Sequence, residues 1–192
     1  MSLLGPGDEE LLRVRLAGRT RRVVEIEGLP RAAVLVPLLP TGGGWELLFV
    51  RRSDQVSTHQ GQVAFPGGHV EPSDADLVAT ACREAEEEVG LNRARVEVLG
   101  VLDDVVAISN VLVTPVLGVV QSGFSPRLDA REIAYTFSVP LAHLADPAAR
   151  VSSYRRVTPL GELEFPVFSG GPDPIWGLTA WMIVELLPLL ER

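Results

Sequence analysis

Between Arg83 and Leu91 the chain reads R-E-A-E-E-E-V-G-L. On an α-helix, positions i, i+3 and i+4 are neighbours, so Glu84, Glu87 and Glu88 fall on one side of a helical turn. Three carboxylates that close repel one another unless something positive lies between them. Arg83 is the single Arg or Lys from His69 to Leu91, and Glu86 adds a further negative charge. A hard divalent cation with oxygen ligands, Mg²⁺ or Mn²⁺, is the simplest remedy. The competing reading is a solvated charged helix face, since glutamates are good helix formers. The surroundings favour the cation. Phe65-Pro66-Gly67-Gly68 lies just upstream, and its glycines are expected to adopt backbone angles that other residues avoid. That would bring backbone groups close to a ligand.

The elements that must hold these groups follow from periodicity. Asp76 to Val89 reads as a helix with Val78, Cys82, Ala85 and Val89 on its core side, and Gly90 is a natural stop. Arg31 to Leu39 and Trp45 to Arg52 read as strands around a turn at Thr41–Gly44. Residues 53–64 read as a loop. Val96 to Leu102, Val111 to Val120 and Ile133 to Val139 read as further strands, and Leu141 to Ala145 as a short helix. Residues 150–168 form either a hairpin or a loop with short strands. Gly170–Pro174 breaks the chain before a last helix, Trp176 to Leu187. A short amphipathic helix is expected at Asp8 to Leu16. Residues 1–30 read as an extension packing on a domain of residues 31–192. The mixture predicts an α/β protein, a mixed sheet covered by helices as an α/β/α sandwich.

Composition narrows the function. The 192 residues suit one domain, and 46% hydrophobic content marks a globular chain. A net charge of −8 argues against a nonspecific nucleic-acid binder. It leaves room for a phosphate-bearing substrate, because a bound cation can supply the positive charge. The single cysteine, Cys82, makes no intrachain disulfide and reads as a buried, inert thiol. The N-terminus does not look like a signal peptide, and Ile175 to Leu190 is short for a membrane span. A cytoplasmic location is expected. A homodimer is compatible with the sequence, and nothing in it specifies one.

The order Gly68, Asp74, Arg83, Glu84, Ala85, Glu87, Glu88, Gly90, Leu91 resembles the box of the Nudix hydrolase family, G-x5-E-x7-R-E-U-x-E-E-x-G-U, where U is aliphatic. Arg83 lies fifteen residues after Gly68 where the general box has fourteen, and Asp74 stands for a Glu. The coenzyme A pyrophosphatase branch of the family has this longer loop and this Asp. Upstream, Leu47–Ser53 and Thr58–Gly68 are similar to that branch's coenzyme A motif, with Gly61 and Phe65–Gly68 in register. Ser57 stands where the motif has Arg, with Arg51 or Arg52 as the candidate replacement. Ser109–Val116 and Ile175–Ala180 also resemble the branch; Trp176 by itself reads as an ordinary core aromatic.

The resemblance implies the Nudix fold and metal-dependent hydrolysis of a pyrophosphate bond by water, without a covalent enzyme intermediate. It implies metal ligation by Glu84, Glu87 and Glu88, often with a backbone carbonyl near Gly67 and Gly68, and a supporting role for Arg83 behind a carboxylate, with Glu87 as a plausible partner. The general base is either a box glutamate or a later one. Glu132 is the later candidate, and its competing reading is an exposed residue entering a strand. Asp103 and Asp104 either approach the metals or are exposed turn residues. Arg51, Arg52, Gly67, Gly68 and His69 are the candidate substrate contacts, and His143 reads as structural. The branch implies coenzyme A or its thioesters as substrate. Another nucleoside diphosphate derivative such as ADP-ribose is the alternative, and a noncatalytic nucleotide-binding module ranks third.

Overall fold

The computed structural model describes residues 2–56, 59–158 and 161–192. Ser57, with Thr58 beside it, lies outside the described residues. Helix α1 (Glu9–Gly18) precedes strands β1 (Arg31–Thr41), β2 (Gly44–Arg52), β3 (Val63–Ala64) and β4 (Gly67–His69). Helix α2 (Leu77–Val89) leads to β5 (Val96–Val101), β6 (Val105–Val106), β7 (Leu112–Val120) and β8 (Ile133–Pro140). A short α3 (Leu141–Leu144), a hairpin of β9 (Arg150–Thr158) and β10 (Gly161–Phe168), and α4 (Gly177–Leu190) complete the chain.

The sheet runs β3-β2-β1-β7-β5, with β4 beside β1, β6 beside β7 and β8 beside β2. It is mixed: β1 and β7 are parallel, and the other pairs are antiparallel. The parallel pair lies at the centre, where strands covered on both faces are apolar along nearly their whole length. Accordingly, every residue of β7 is buried. Side chains alternate between two packing layers, as the two-residue period of a strand requires. Ala33 and Leu35 of β1, with Val116 and Val120 of β7, meet Ala81, Ala85 and Val89 of α2. Val36, Leu38, Leu117 and Val119 face the opposite layer with Leu12 and Leu16 of α1 and Met182, Ile183 and Leu186 of α4. The sandwich expected from the residue pattern is therefore the observed one.

Three local differences have physical causes. Gly67 and Gly68 do not make a turn with unusual dihedrals; they lie in β4, paired with Val34 and Ala33, and neither has a positive φ. Helix α4 runs past Pro188 to Leu190, because Leu186, Leu187 and Leu190 are buried and hold the last turn despite the missing N–H. Asp103 and Asp104 are neither exposed turn residues nor parts of the carboxylate cluster. They anchor the N-terminal segment: Arg19 donates to Asp103 at 2.5 Å. Asp104, wholly buried, accepts from Arg21, from the Val24 N–H at 3.0 Å and from the Thr114 hydroxyl at 2.6 Å.

Candidate active site

Helix α2 positions the carboxylates. Asp76 caps its start, accepting the Ala79 N–H at 2.7 Å. Gly90 ends it at φ +71°, where the Gly90 N–H bonds the Glu86 carbonyl and the Leu91 N–H bonds the Ala85 carbonyl. Ala81, Cys82, Ala85 and Val89 are buried beneath the helix, while Val78 is half-buried at its margin. Burial of the Cys82 thiol raises its pKa, which suits an inert core residue.

The three glutamates form a gradient from core to solvent. The Glu88 side chain is 3% exposed, that of Glu84 16% and that of Glu87 61%. Glu88 accepts the Gly67 N–H at 3.1 Å and the Arg52 guanidinium at 3.2 Å. Burial pushes its pKa up to about 8. Arg52 and the Gly67 N–H pull it down, and the negative charges of Glu84 and Glu132 push it up again. Glu84 is raised in the same way, first by burial and then by Glu87 and Glu132, against the opposing pull of Arg83.

Arg83 ties the cluster to the strand in front of it. Its Nε and one terminal nitrogen grip Asp74 at 3.0 Å each, a bidentate pair. The same guanidinium donates to the His69 carbonyl at 2.9 Å, to Glu84 at 2.9 Å and to Glu87 at 3.2 Å. The expected Glu87 contact is thus present, but Asp74 is the stronger partner. Asp74 also accepts the Thr80 hydroxyl and the Glu71 N–H, each at 2.9 Å. These bonds hold its carboxyl well below the usual range, Arg83 first.

Glycine is needed in β4 for space. A Cβ on Gly67 would stand 2.5 Å from the Ala33 carbonyl oxygen and 2.6 Å from Val34 Cα, and one on Gly68 would stand 2.5 Å from Glu84 Cδ. Gly68 thus seats the Glu84 carboxyl against the strand. Glu132 is exposed immediately before β8, yet its charge reaches both Glu84 and Glu88.

The candidate substrate contacts divide. Arg52 reaches into the cluster and pairs with Glu88. Arg51 faces the other way, bonding Asp54 at 3.1 Å, pairing with Asp173 at 3.3 Å and lying over the Tyr135 ring. Gly61, at φ +66°, sits against that Arg51–Asp54 pair, where a Cβ would be 3.1 Å from either group. The side chain of His69 is exposed, and its carbonyl is taken by Arg83. His59 contacts Gln62, and the His143 ring meets the Ser169 carbonyl, a structural contact. Trp176 is not a core residue: it is 36% exposed, edge-on to Tyr154.

The donor set suits a hard divalent cation. Glu84, Glu87, Glu88, Asp74 and Glu132 offer five carboxylates against the guanidinium groups of Arg52 and Arg83, and burial first, then neighbouring carboxylates, raise the pKa of Glu88 and of the half-buried Glu84, which a bound cation would offset. Among the described residues, no three Asp, Glu, His or Cys side chains converge on one point as they stand. Arg83 lies between Glu84 and Glu87 and holds both.

Residues 29–167 match the NUDIX domain family. An uncharacterized Nudix hydrolase, NudL, of Photorhabdus laumondii is 41% identical over 162 residues, covering 81% of this chain and 82% of its own. Among solved structures, a MutT/nudix family protein from Enterococcus faecalis superposes with a TM-score of 0.52 at 12% identity, over 95% of this chain and 73% of that one. The Nudix hydrolase RenU from M. smegmatis superposes with a TM-score of 0.51 at 24% identity, over 64% of this chain and 78% of its own. These two show the shared fold.

Proposed function

This chain belongs to the Nudix hydrolase family, which acts on pyrophosphate bonds, and we propose that its substrate is coenzyme A or a coenzyme A thioester. The products would be 4′-phosphopantetheine, or its acyl form, and adenosine 3′,5′-bisphosphate. The observation that carries this reading is the seating of the stretch similar to the coenzyme A motif. Arg52, inside that stretch, bonds Glu88, and its N–H bonds the Gln62 carbonyl at 3.0 Å. The stretch thus meets the strand that carries Arg52 on both its sides, at Ser53 and at Gln62, with Gly61 packed on Arg51.

Members of the family generally use divalent ions such as Mg²⁺ or Mn²⁺, and Glu84, Glu87 and Glu88 are the residues that would hold them here. A cation bound there would offset charge on the phosphoryl oxygens and lower the pKa of a water, easing the proton loss that makes it a nucleophile. The chain's own groups do the rest. The Gly67 N–H and Arg52 fix the Glu88 carboxyl, and Gly68 sets the position of Glu84. Asp74 keeps Arg83 aligned along the helix, so Glu84 and Glu87 stay close to the β4 backbone. For the proton of the attacking water we assign Glu132, whose charge acts on both Glu84 and Glu88, with a box glutamate as the other candidate. The setting we assign is the cytoplasm, where the one cysteine, Cys82, stays a buried thiol. Among the described residues, no helix is long and apolar enough to cross a membrane.

Incubation with Mg²⁺ and a panel of coenzyme A, ADP-ribose and dinucleoside polyphosphates, with products identified by mass, tests the proposal. Release of adenosine 3′,5′-bisphosphate from coenzyme A is expected. Cleavage of ADP-ribose with coenzyme A untouched would move the chain to another Nudix substrate class. No cleavage of any of them, with the nucleotide still bound, would favour a noncatalytic binding module.

A further inference from the structure

The hairpin of β9 and β10 is a separate two-stranded sheet. The outer edge of β10 is interrupted: Pro166 lies in the strand and Phe168 at its end bridges to Ile175, while Phe165 packs on Trp181 of α4. On the other side, among the described residues, β9 pairs with β10 alone, so one edge of a nine-residue strand carries open N–H and C=O groups. Natural proteins rarely leave such an edge bare, because it is a template for another strand. Strand β9 contains no proline and carries two of the most exposed aliphatic side chains in the molecule, Val151 at 59% and Val157 at 86%.

We propose that this edge pairs antiparallel with the same edge of a second copy of the chain, about a two-fold axis at Tyr154, joining two hairpins into a four-stranded sheet. The register follows from the order of side chains. Around Tyr154, Val151 comes opposite Val157 of the second copy, and Val157 opposite its Val151. Arg155 comes opposite Ser153, and Arg156 opposite Ser152. Both exposed valines are then paired with each other, and neither of these arginines meets an arginine. Within each copy Glu164 pairs with Arg155 at 3.8 Å and accepts the Ser153 hydroxyl at 2.5 Å, so an anion lies beside the Arg155–Ser153 contact. Tyr154, stacked on Phe165 with ring centroids 5.6 Å apart, comes beside its own counterpart. Directly opposed aliphatic and aromatic pairs stabilise a sheet, and like charges destabilise it. In a parallel, in-register stack each arginine would face its own copy. The same residues that permit the two-fold contact therefore oppose open-ended strand addition. The contact is self-complementary and closed, as a two-fold interface must be.

Sedimentation of the full chain and two variants tests the register. Wild type is expected to sediment as a dimer at high micromolar concentration. Val151→Lys with Val157→Lys places lysine opposite lysine twice per dimer and should weaken association roughly tenfold or more. Val151→Glu with Val157→Lys places opposite charges in the same two pairs and should restore the dimer. Both positions are exposed, so circular dichroism melting should show every variant folded. Hydrogen exchange on wild type alone gives a second reading: β9 amides should gain protection as concentration rises, while the exchange of α1 stays constant. A monomeric wild type, a double-lysine variant that stays dimeric, a charge-swapped variant that stays monomeric, or β9 exchange independent of concentration would each overturn the proposal.

Discussion

Gly67 and Gly68 are neighbours in one short strand, yet alanine at each should fail in a different way. A Cβ at Gly67 would meet main chain of β1, the Ala33 carbonyl oxygen at 2.5 Å and Val34 Cα at 2.6 Å. Main chain at the centre of a sheet cannot step aside, so β4 must lift from β1. Overpacking of this kind costs about 3 kcal/mol, which for a chain of this size lowers Tm by about 6–12 °C. A Cβ at Gly68 would meet the Glu84 carboxyl, with Cδ at 2.5 Å and Oε2 at 2.6 Å. That is the end of a flexible side chain, and it can retreat to an ordinary 3.4 Å contact by moving about 1 Å. The fold should survive with Tm lowered by about 3 °C or less, but a 1 Å displacement in a catalytic constellation costs about 100-fold in rate. Thermal melting without divalent ions, and turnover of coenzyme A with Mg²⁺ at a temperature where both variants are folded, separate the two effects. Gly68→Ala with near-normal turnover and unchanged Tm would show that Glu84 does not owe its working position to this contact. Equal losses of Tm in both variants would refute the distinction between main chain and side chain.

Three further outcomes are expected. Glu88→Gln should retain the fold, since Gln can still accept the Gly67 N–H, and should lose at least about 100-fold in turnover, read by mass analysis of products. The pKa of Glu88 is raised from 4.5 in the unfolded chain to about 8 in the folded one. Without divalent ions, its contribution to stability is therefore fully present below pH 4.5 and is lost as pH rises to about 8, by at most roughly 5 kcal/mol; urea titrations across that range should show the slope in wild type and its loss in Glu88→Gln. Asp104→Ala strands Arg21, Thr114 and the Val24 N–H beside a buried void, which should cost about 3 kcal/mol. Trypsin should then cut faster at Arg19, Arg21 and Arg22 while α4 stays protected.

The architecture was legible because burial on two faces leaves a plain trace. The largely apolar runs Arg31 to Leu39 and Val111 to Val120, the second with Thr114 as its one polar side chain, belong to the two central strands, whose side chains divide between two layers. The helix over Asp76–Val89 was readable to the residue at its end, since Gly90 takes the left-handed conformation that stops it. The Gly67-Gly68 pair was misread for an identifiable reason. Glycine signals either unusual dihedrals or close approach, and only neighbours distant in sequence decide between them. Here the neighbours are Ala33, Val34 and Glu84, and none of them lies within fifteen positions of the pair. Trp176 was misread likewise, because whether an aromatic at the start of a helix is covered depends on where the hairpin stops.

The carboxylate cluster shows the same limit. Helical spacing brought Glu84, Glu87 and Glu88 to one side of α2 but could not rank them. The ranking had one local trace: Glu88 follows Ala85 by three positions and Ala81 by seven, so it borders the apolar stripe, whereas Glu87 lies a full residue step further round. Burial then determines the chemistry. The most covered carboxyl has its pKa raised to about 8, and the most exposed accepts a hydrogen bond from Arg83 at 3.2 Å. The two arginines that temper the cluster arrive from different places, Arg83 from the helix itself and Arg52 from β2, thirty-six residues before Glu88. Arg52 had no signal beyond its place in the stretch similar to the coenzyme A motif. Its bond to Glu88 gives that stretch a structural reason to accompany the box: it delivers a positive charge that lowers the pKa of the carboxyl burial raises most. Removing the cation while keeping the chain's bulk, as in Arg52→Met, should therefore raise the Glu88 pKa further. The pH at which activity appears should move up, with no comparable shift in Arg51→Met, whose guanidinium serves Asp54 and Asp173 instead. A pH–rate profile unchanged in Arg52→Met would break the link between the two motifs.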